Sequence, residues 1–388
     1  MVPEGWKELP AKDVCKSITV GVVIKPSEYY VAEGEGVRAF RSANVREGFV
    51  NDSDWVYFSA EGHEKNKKSE LKAGDVLVVR SGYPGTACVV TPEFAGSNAI
   101  DIVIARPDTS KVIPEYLCAF TNSEVGRGQI LNLQGGMAQK HLNVGAYKTL
   151  ELTLPPIPEQ EKIAKILSTW DEAIATTEQL LANSEQQKKA LMQQLLTGKK
   201  RLPGFEGEWR KVELGDVLEY RQPTPYLVKS TEYSDEYKTP VLTAGKTFIL
   251  GYTDEDSGVF EEGLPVIIFD DFTTSSRFVD FEFKVKSSAM KILNARPGYS
   301  IKYVFEAMQM VRYAVGGHQR HWISIFANLV VPMPSFEEQE AIASVLSSAD
   351  EEIKTLRTYA NKLVAEKKSL MQQLLTGNCR VKIDRKDV

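Results

Sequence analysis

Polar side chains that suit contacts with nucleic acid follow two apolar, strand-like runs in this sequence of 388 residues. The first run spans residues 71–80, and its end and the following turn carry Arg80, Ser81 and Tyr83. The second run spans 265–269, and after it come Asp270, Asp271, Thr273, Thr274 and Arg277. Arginine pairs with guanine through two hydrogen bonds, and a carboxylate accepts one from cytosine N4. These side chains are candidates for base contacts, with ordinary solvated turn residues as the alternative interpretation.

A glycine pair followed by a basic tripeptide occurs once in each half of the chain. The pair at 135–136 precedes Gln139, Lys140 and His141, and the pair at 316–317 precedes Gln319, Arg320 and His321. Both tripeptides stand shortly before an apolar run and a proline. This matched placement predicts a shared role, and we expect it to be the positioning of DNA phosphates.

The patterns in this sequence that could indicate catalysis, phosphate binding or metal binding are incomplete. Gly245, Lys246 and Thr247 resemble the end of a phosphate-binding loop, but Pro240 stands where the first glycine is required. His318 and His321 have no third metal ligand at a useful spacing. We therefore predict no catalytic residue and no metal site in this chain.

A metal-dependent nuclease remains a rival interpretation. Asp270 or Asp271 with Glu282 and Lys284 could hold a metal ion and activate water. Glu282 and Lys284 also fit the polar face of an alternating strand, in which Val279, Phe281, Phe283 and Val285 form the buried face.

Composition predicts a globular protein of two or three domains. Apolar residues make up 43% of the chain, and four cysteines are scattered without a CxxC pair. The start of the sequence lacks a signal-peptide pattern, and no apolar run reaches the ~18 residues of a membrane helix. Together these features predict a cytoplasmic location.

The net charge of -5 predicts that any DNA-binding surface is local rather than global. One basic stretch extends from Arg277 to His321, where eight lysines and arginines outnumber three acidic residues. A chain with this balance should bind DNA weakly without help from partners.

The elements that must position these residues are marked by a long repeat. Residues 159–198 and 338–377 align at a constant offset of 179, and both copies end in LMQQLLTG. Apolar residues recur at alternating steps of four and three, which is the spacing of a coiled-coil seam. The apolar seam positions are Ile163, Leu167, Trp170, Ile174, Leu181, Leu191, Leu195, Ile342, Leu346, Ile353, Leu356, Leu363, Leu370 and Leu374.

Each copy predicts a helix of about 40 residues, roughly 60 Å long. Ser335 with Glu338 fits a capping box, Pro158 suits a first turn, and Gly198 and Gly377 suit helix ends. Lys188 and Lys367 occupy the same seam position. They could fix the register of the seam or extend their ammonium groups into solvent.

Two globular segments alternate with the two helices. We divide the chain at 1–155, 156–200, 201–334 and 335–378, with a tail at 379–388. Trp6 and Trp209 open the globular segments and are expected in their cores. Predicted strands cover 20–24, 71–80, 150–154, 239–242, 265–269, 277–285 and 328–333, and predicted shorter helices cover 112–122 and 299–310.

Together these features resemble the DNA-specificity subunit of type I restriction-modification systems. The resemblance covers nearly the whole chain and rests on four stretches: residues 156–163, the repeated LMQQLLTG at 191–198 and 370–377, residues 74–82, and residues 135–140. The second globular segment, with residues 240–247 and 266–274, is similar to a recognition domain of such subunits.

The resemblance implies an α+β fold with an internal pseudo-two-fold repeat. Two α/β target-recognition domains would be separated by two long antiparallel coiled-coil helices. Each domain would read one half of a split, asymmetric target in double-stranded DNA. Two methylation subunits carrying S-adenosylmethionine, and two restriction subunits using ATP and Mg²⁺, would complete the complex. The chain itself would bind no cofactor and would not be an enzyme. A coiled-coil scaffold without a DNA role is the other rival interpretation.

Overall fold

The computed structural model describes residues 2–133, 141–243, 247–271, 273–311, 322 and 325–383. The chain divides into two compact units. Unit 1 contains residues 1–178 and 358–388, and unit 2 contains residues 179–357. Each unit therefore combines one globular segment with part of each long helix, whereas the five-part division along the chain stays a prediction.

Unit 1 contains ten strands and five short helices among its described residues. The strands are β1 Lys7–Pro10, β2 Cys15–Val20, β3 Tyr30–Val31, β4 Val37–Phe40, β5 Val56–Phe58, β6 Val76–Val79, β7 Ala87–Val89, β8 Asn98–Ala99, β9 Ile102–Pro107 and β10 Glu151–Leu154. The helices are α1 Ala11–Val14, α2 Ala60–Lys65, α3 Pro114–Asn122, α4 Glu124–Leu133 and α5 Val144–Lys148. The first long helix, α6 Ile157–Leu195, follows them.

The main sheet of unit 1 has the strand order β2-β9-β6-β7, and a second sheet has the order β3-β5-β4-β8. Strand β6 is buried on both faces. Val76 and Val78 belong to the core that also contains helix α3, and Leu77 and Val79 belong to a second core. Because successive side chains of a strand point to opposite faces, two buried faces explain its unbroken apolar sequence.

Unit 2 contains nine further strands and two short helices among its described residues. The strands are β11 Arg210–Glu213, β12 Leu218–Arg221, β13 Thr239–Leu242, β14 Ile249–Thr253, β15 Val266–Asp270, β16 Ser276–Val279, β17 Lys284–Val285, β18 Met290–Ala295 and β19 Val330–Met333. The short helices are α7 Leu214–Val217 and α8 Ile301–Met310. The second long helix, α9 Phe336–Leu375, follows β19.

The main sheet of unit 2 has the order β12-β18-β15-β16, which matches that of unit 1. Strand β15 takes the place of β6 and is also buried on both faces. The predicted α+β class and internal repeat are confirmed. No helix within the described ranges is both long enough and apolar enough to cross a membrane.

Two of the predicted strands are wrong. The strand predicted at 20–24 lies earlier, at Cys15–Val20, and Ile24 is 81% exposed. The strand predicted at 277–285 is broken into β16 and β17, which belong to different sheets. The alternating pattern loses its phase at this break, so Phe281 is exposed and Lys284 is buried.

The long helices end as predicted. Gly198 and Gly377 adopt φ of 71° and 73°, a left-handed conformation that favours glycine after a helix. Every predicted seam residue is buried or half-buried. Inside each unit the helices run antiparallel, because the start of one helix meets the residues after the end of the other, through Glu159–Arg380 in unit 1 and Glu338–Arg201 in unit 2. Between these points, Lys367 pairs with Asp171 in unit 1 and Lys188 pairs with Asp350 in unit 2. The two pairs are one contact formed twice, at the same offset of 179 residues.

The seam lysines are held in ion pairs rather than extended into solvent. The Lys188 ammonium lies 2.6 Å from Asp350 and 3.3 Å from Glu306, and its side chain is 16% exposed. Lys302 also bonds to Asp350, at 2.8 Å. These contacts favour the interpretation that the lysines fix the register of the seam.

A buried glutamate near the start of each long helix joins distant parts of its unit. Glu159 accepts hydrogen bonds from Trp6 Nε1 (3.1 Å) and from the guanidinium of Arg380 (2.7 and 2.8 Å). In unit 2, Glu338 accepts from Trp209 Nε1 (3.1 Å) and from Arg201 Nη2 (2.7 Å). The predicted capping box is therefore only half formed: the backbone N–H of Glu338 donates to Ser335 Oγ, but its carboxylate is used elsewhere.

The next residue in each long helix binds the globular segment through the backbone. Gln160 Oε1 accepts from the N–H of Ile113, the residue before α3, at 3.0 Å. Gln339 Oε1 accepts from the N–H of Ser300, the residue before α8, at 2.9 Å. The amides also donate to Pro155 O and Pro334 O. Helices α3 and α8 therefore occupy the same place in their units.

Replacing Asp350 by Asn should lower the free energy of unfolding by about 1 kcal/mol at neutral pH, because charged hydrogen bonds are lost at a partly exposed site. Burial alone would raise the pKa of Asp350, but hydrogen bonds from Lys188 and Lys302 lower it below 3.8. The stabilisation is thus present above pH 3.8 and is lost as pH falls through the lowered pKa. Denaturant unfolding of wild type and D350N across this range measures it, with the exposed neighbour variant E351Q as control. A difference that persists undiminished at the acid end would contradict the assignment.

Candidate nucleic-acid interface

The two groups of candidate base-contacting residues lie at equivalent places in the two units. Strands β6 and β15 occupy equivalent positions in the strand orders of their sheets. The candidate residues follow the C-terminal ends of both strands. The scaffold therefore presents two loops of different sequence at one structural position. This correspondence places one group of candidate residues in each unit at matched positions.

The loop after β6 exposes a tyrosine at its tip. Tyr83 is 84% exposed, and Gly82 and Gly85 on either side adopt positive φ of 88° and 90°. An exposed aromatic ring on a tight turn offers a flat apolar face and one hydroxyl group to a partner. Ser81 is exposed beside it.

Arg80 is turned into the protein instead of projecting from it. Its side chain donates to Leu142 O at 3.0 Å, to the Asp101 carboxylate, and to His141 Nε2, which lies 2.6 Å from Nη2. Because a guanidinium can only donate, His141 Nε2 accepts, and Nδ1–H donates to Ser81 Oγ at 2.7 Å. Arg80 thus fixes the tautomer and orientation of an exposed histidine.

The structure brings Ser81 and His141 together, as residues on two segments that also form a β-bridge. Asp101, with a positive φ of 50°, completes the cluster and has no sequence signal that would single it out. Five of the six predicted tripeptide residues, Gln139, Lys140, Gln319, Arg320 and His321, lie outside the described residues.

The loop after β15 is anchored by two buried carboxylates. Asp270 accepts from Thr273 Oγ1 at 2.6 Å. Asp271 Oδ1 accepts from the backbone N–H of Trp322 at 2.9 Å, and its Oδ2 lies 3.7 Å from the Lys291 ammonium. Both carboxylates shape the loop from inside, so the loop presents other groups to its surroundings.

Of the candidate residues after β15, Thr273 in the loop and Arg277 in β16 are exposed, while Thr274 is half-buried with φ of 60°. The Arg277 guanidinium lies 5.9 Å from the centre of the Phe248 ring, a cation–π distance that steadies the side chain. Among the residues proposed for unit 2, these are the ones the structure leaves accessible.

The basic stretch from Arg277 to His321 is less basic at the surface than its sequence suggests. Lys284 is 1% exposed and lies 3.0 Å from Glu255, and Lys291 is buried beside Asp271. Lys302 also lies 2.8 Å from the buried Glu306, so at least three of the eight positive charges neutralise internal acids. A buried lysine needs such a partner, because an unpaired charge is costly to remove from water.

The arrangement required for a nuclease is not formed. Glu282 is exposed, whereas Lys284 points inward and donates to Ser257 O and Glu255. The two residues therefore do not share the polar face that the hypothesis required. Within the described ranges, no three histidine, cysteine or acidic side chains are grouped closely enough to hold a metal ion.

Comparison with known proteins gives a consistent picture. A family model described as "Type I restriction modification DNA specificity domain" matches residues 3–186 and 206–363. The specificity subunit of the type I restriction enzyme EcoR124I/EcoR124II from Escherichia coli is 46% identical over 153 residues, which are 38% of this chain and 37% of that protein. The putative MjaX specificity subunit of Methanocaldococcus jannaschii is 24% identical over 421 residues, covering 98% of this chain and 95% of the relative.

The solved type I restriction-modification S subunit from M. genitalium matches with a TM-score of 0.65 at 15% identity. The match covers 99% of this chain and 97% of that one. At this identity the likeness shows the shared fold.

Replacing Arg80 by Met should weaken binding of the target DNA about tenfold, because Ser81 and His141 lose the group that orients them. The matched control is R106M, since Arg106 is a second anchored arginine in the same unit, bound to Asp75 at 3.0 Å. Both variants should lose roughly 2 kcal/mol of folding stability. Fluorescence anisotropy with the target duplex measures the affinity. An equal loss of DNA binding in R106M would reduce the effect of R80M to general destabilisation.

Proposed function

Because the chain belongs to the type I restriction-modification DNA specificity family, we propose that it reads a two-part target in double-stranded DNA, one half by each unit. The observation that supports this most strongly is the pair of diverged loops after β6 and β15 on one repeated scaffold. A coiled-coil scaffold without a DNA role would not need different exposed residues at these matched positions.

Base contacts fall, in this proposal, to the exposed residues of the loops. Ser81, Tyr83 and His141 act in unit 1, and Thr273 and Arg277 act in unit 2. Arg80, Asp270 and Asp271 are positioning residues that hold the loops from inside. The polar edge of a base pair differs between the four pairs in the major groove, so side chains of different chemistry would select different sequences.

The chain acts without catalytic chemistry of its own in this proposal and binds neither S-adenosylmethionine nor ATP. Two methylation subunits would supply S-adenosylmethionine and two restriction subunits would supply ATP hydrolysis with Mg²⁺. The net charge of -5 supports this division of labour, because neutralisation of DNA phosphates dominates affinity and is scarce on this chain. The methylation subunits would contribute most of those phosphate contacts.

Sequencing methylated bases in cells that express this chain with its methylation subunit tests the proposal directly. We expect methylated adenines in one motif of two specified halves separated by a fixed number of unspecified base pairs. Expression of the methylation subunit alone is the control and should give no such motif. A continuous motif, or the same motif without this chain, would refute the proposal.

The length of the two long helices should set the number of unspecified base pairs. Deleting residues 174–180 and 353–359 together removes one heptad from each helix and retains the Asp171–Lys367 and Lys188–Asp350 pairs. Seven residues correspond to about 10 Å of helix, or about three base pairs. Methylome sequencing should show the same two half-sites with a spacer shortened by about that number. An unchanged spacer would show that the helices do not determine it.

A further inference from the structure

Unit 1 contains a cavity of 720 Å³. Helix α3 and the long helices α6 and α9 form one side of it, and the segments 47–52 and 89–94 form the other. Its floor is apolar and includes Leu167 and Met371, and its rim carries Lys367 and a larger number of acidic residues, among them Glu115, Asp171 and Glu172.

The residues of α3 and α8 correspond one to one. Besides their shared backbone anchor, each helix carries one buried tyrosine: Tyr116 donates to Thr153 O at 2.7 Å, and Tyr303 donates to Pro332 O at 2.8 Å. The two acceptors differ by the same offset of 179 residues as the long helices. Position 115 of α3 therefore corresponds to position 302 of α8, and position 119 to position 306.

In unit 2 this place is filled from inside by a lysine. Lys302 lies 2.8 Å from both Glu306 and Asp350, and its ammonium is 5.0 and 5.3 Å from the ring centres of Phe278 and Phe305. Burial alone would lower the pKa of Lys302, but the hydrogen bonds that Lys302 donates to Asp350 and Glu306 outweigh it and raise the pKa. The site thus holds an ammonium group between carboxylates and aromatic rings.

Unit 1 keeps the carboxylate of this site and lacks the lysine. Asp171 takes the place of Asp350, but Glu115 replaces Lys302, Cys118 replaces Phe305 and Ala119 replaces Glu306. The smaller side chains leave the cavity open. Among the described residues, Asp171 pairs with Lys367 alone, and neither Glu115 nor Glu172 forms an ion pair.

We propose that the cavity of unit 1 receives a lysine or arginine side chain from a basic segment of the methylation subunit. The internal counterpart, Lys302, shows which group this architecture accommodates. A long basic side chain also fits the apolar floor, because its methylene stem packs on apolar surface while its charge reaches the acidic rim.

The charge of the cavity argues for a protein segment as its occupant. Negative side chains at the rim repel DNA phosphates, so this surface does not belong to the DNA interface. A hard cation such as Mg²⁺ requires several oxygen ligands close together, and the described residues contain no such acidic group. Opposite charges at a protein interface, in contrast, raise association rates and select the correct partner.

This inference rests on the proposed binding of methylation subunits to the chain. Its test distinguishes a failure of the cavity proposal from a failure of that binding. The double substitution E115K/A119E rebuilds in unit 1 the arrangement of Lys302 and Glu306, and so fills the cavity from inside. Calorimetric titration of the full chain with the purified methylation subunit should show one binding event weakened about tenfold and a second unchanged. The control E178Q adds the same net charge of +1 on the exposed face of α6 and should leave both events unchanged.

Three results decide the matter. Absence of any binding to the wild-type chain would refute the proposed partnership itself. Equal binding by wild type and a folded E115K/A119E would overturn the cavity proposal and leave the partnership intact. If the double variant does not fold, E115Q/E172Q replaces it and should also weaken one binding event, by a smaller factor. Unchanged binding by E115Q/E172Q would likewise overturn the cavity proposal.

A photo-reactive phenylalanine at position 49, on the cavity wall, provides the second measurement. The probe is the same methylation subunit, and the adduct should map to a segment that contains lysine or arginine. Crosslinks in E115K/A119E should be lost. Adducts that persist in the filled variant, or that map to an acidic segment, would contradict the assignment.

Discussion

A buried carboxylate at the start of each long helix is the constraint on which both units depend. Glu159 and Glu338 are each 1% exposed, and a charge removed from water must be paired. The partners come from far along the chain: Trp6 and Arg380 in unit 1, and Arg201 with Trp209 in unit 2. Each glutamate thereby ties the entry of a globular segment, the start of one helix and the residues after the end of the other. The Lys–Asp pairs then fix the register of the helices from this point.

The two units share one scaffold and differ in exposed side chains that the scaffold does not need for folding. Strands β6 and β15 keep their place and their two buried faces, while the loops after them differ in sequence. The buried polar residues of these loops fold them, and the exposed ones are free to change. The cavity of unit 1 is a second difference between the units, because Lys302 of unit 2 is replaced by Glu115 in unit 1.

The long helices and their ends could be predicted from the sequence because their signals are local. A seam spacing over forty residues and a glycine after the last turn depend on no distant partner. The direction of polar side chains could not be predicted in this way. Arg80 and Asp271 stand after strands, as base-contacting residues do. In the structure, however, Arg80 donates a hydrogen bond to His141, and Asp271 accepts one from the backbone N–H of Trp322. The alternating pattern predicts Lys284 on a polar face, but Lys284 is buried because its partner Glu255 lies on another segment.

Replacing residues 205–333 by the corresponding segment of another specificity subunit tests the central claim, that each unit reads one half of the target. The measurement is methylome sequencing of cells that carry the exchanged chain with the methylation subunit. The account predicts that one half of the methylated motif changes, while the other half and the spacer remain the same. A motif that changes in both halves would contradict it.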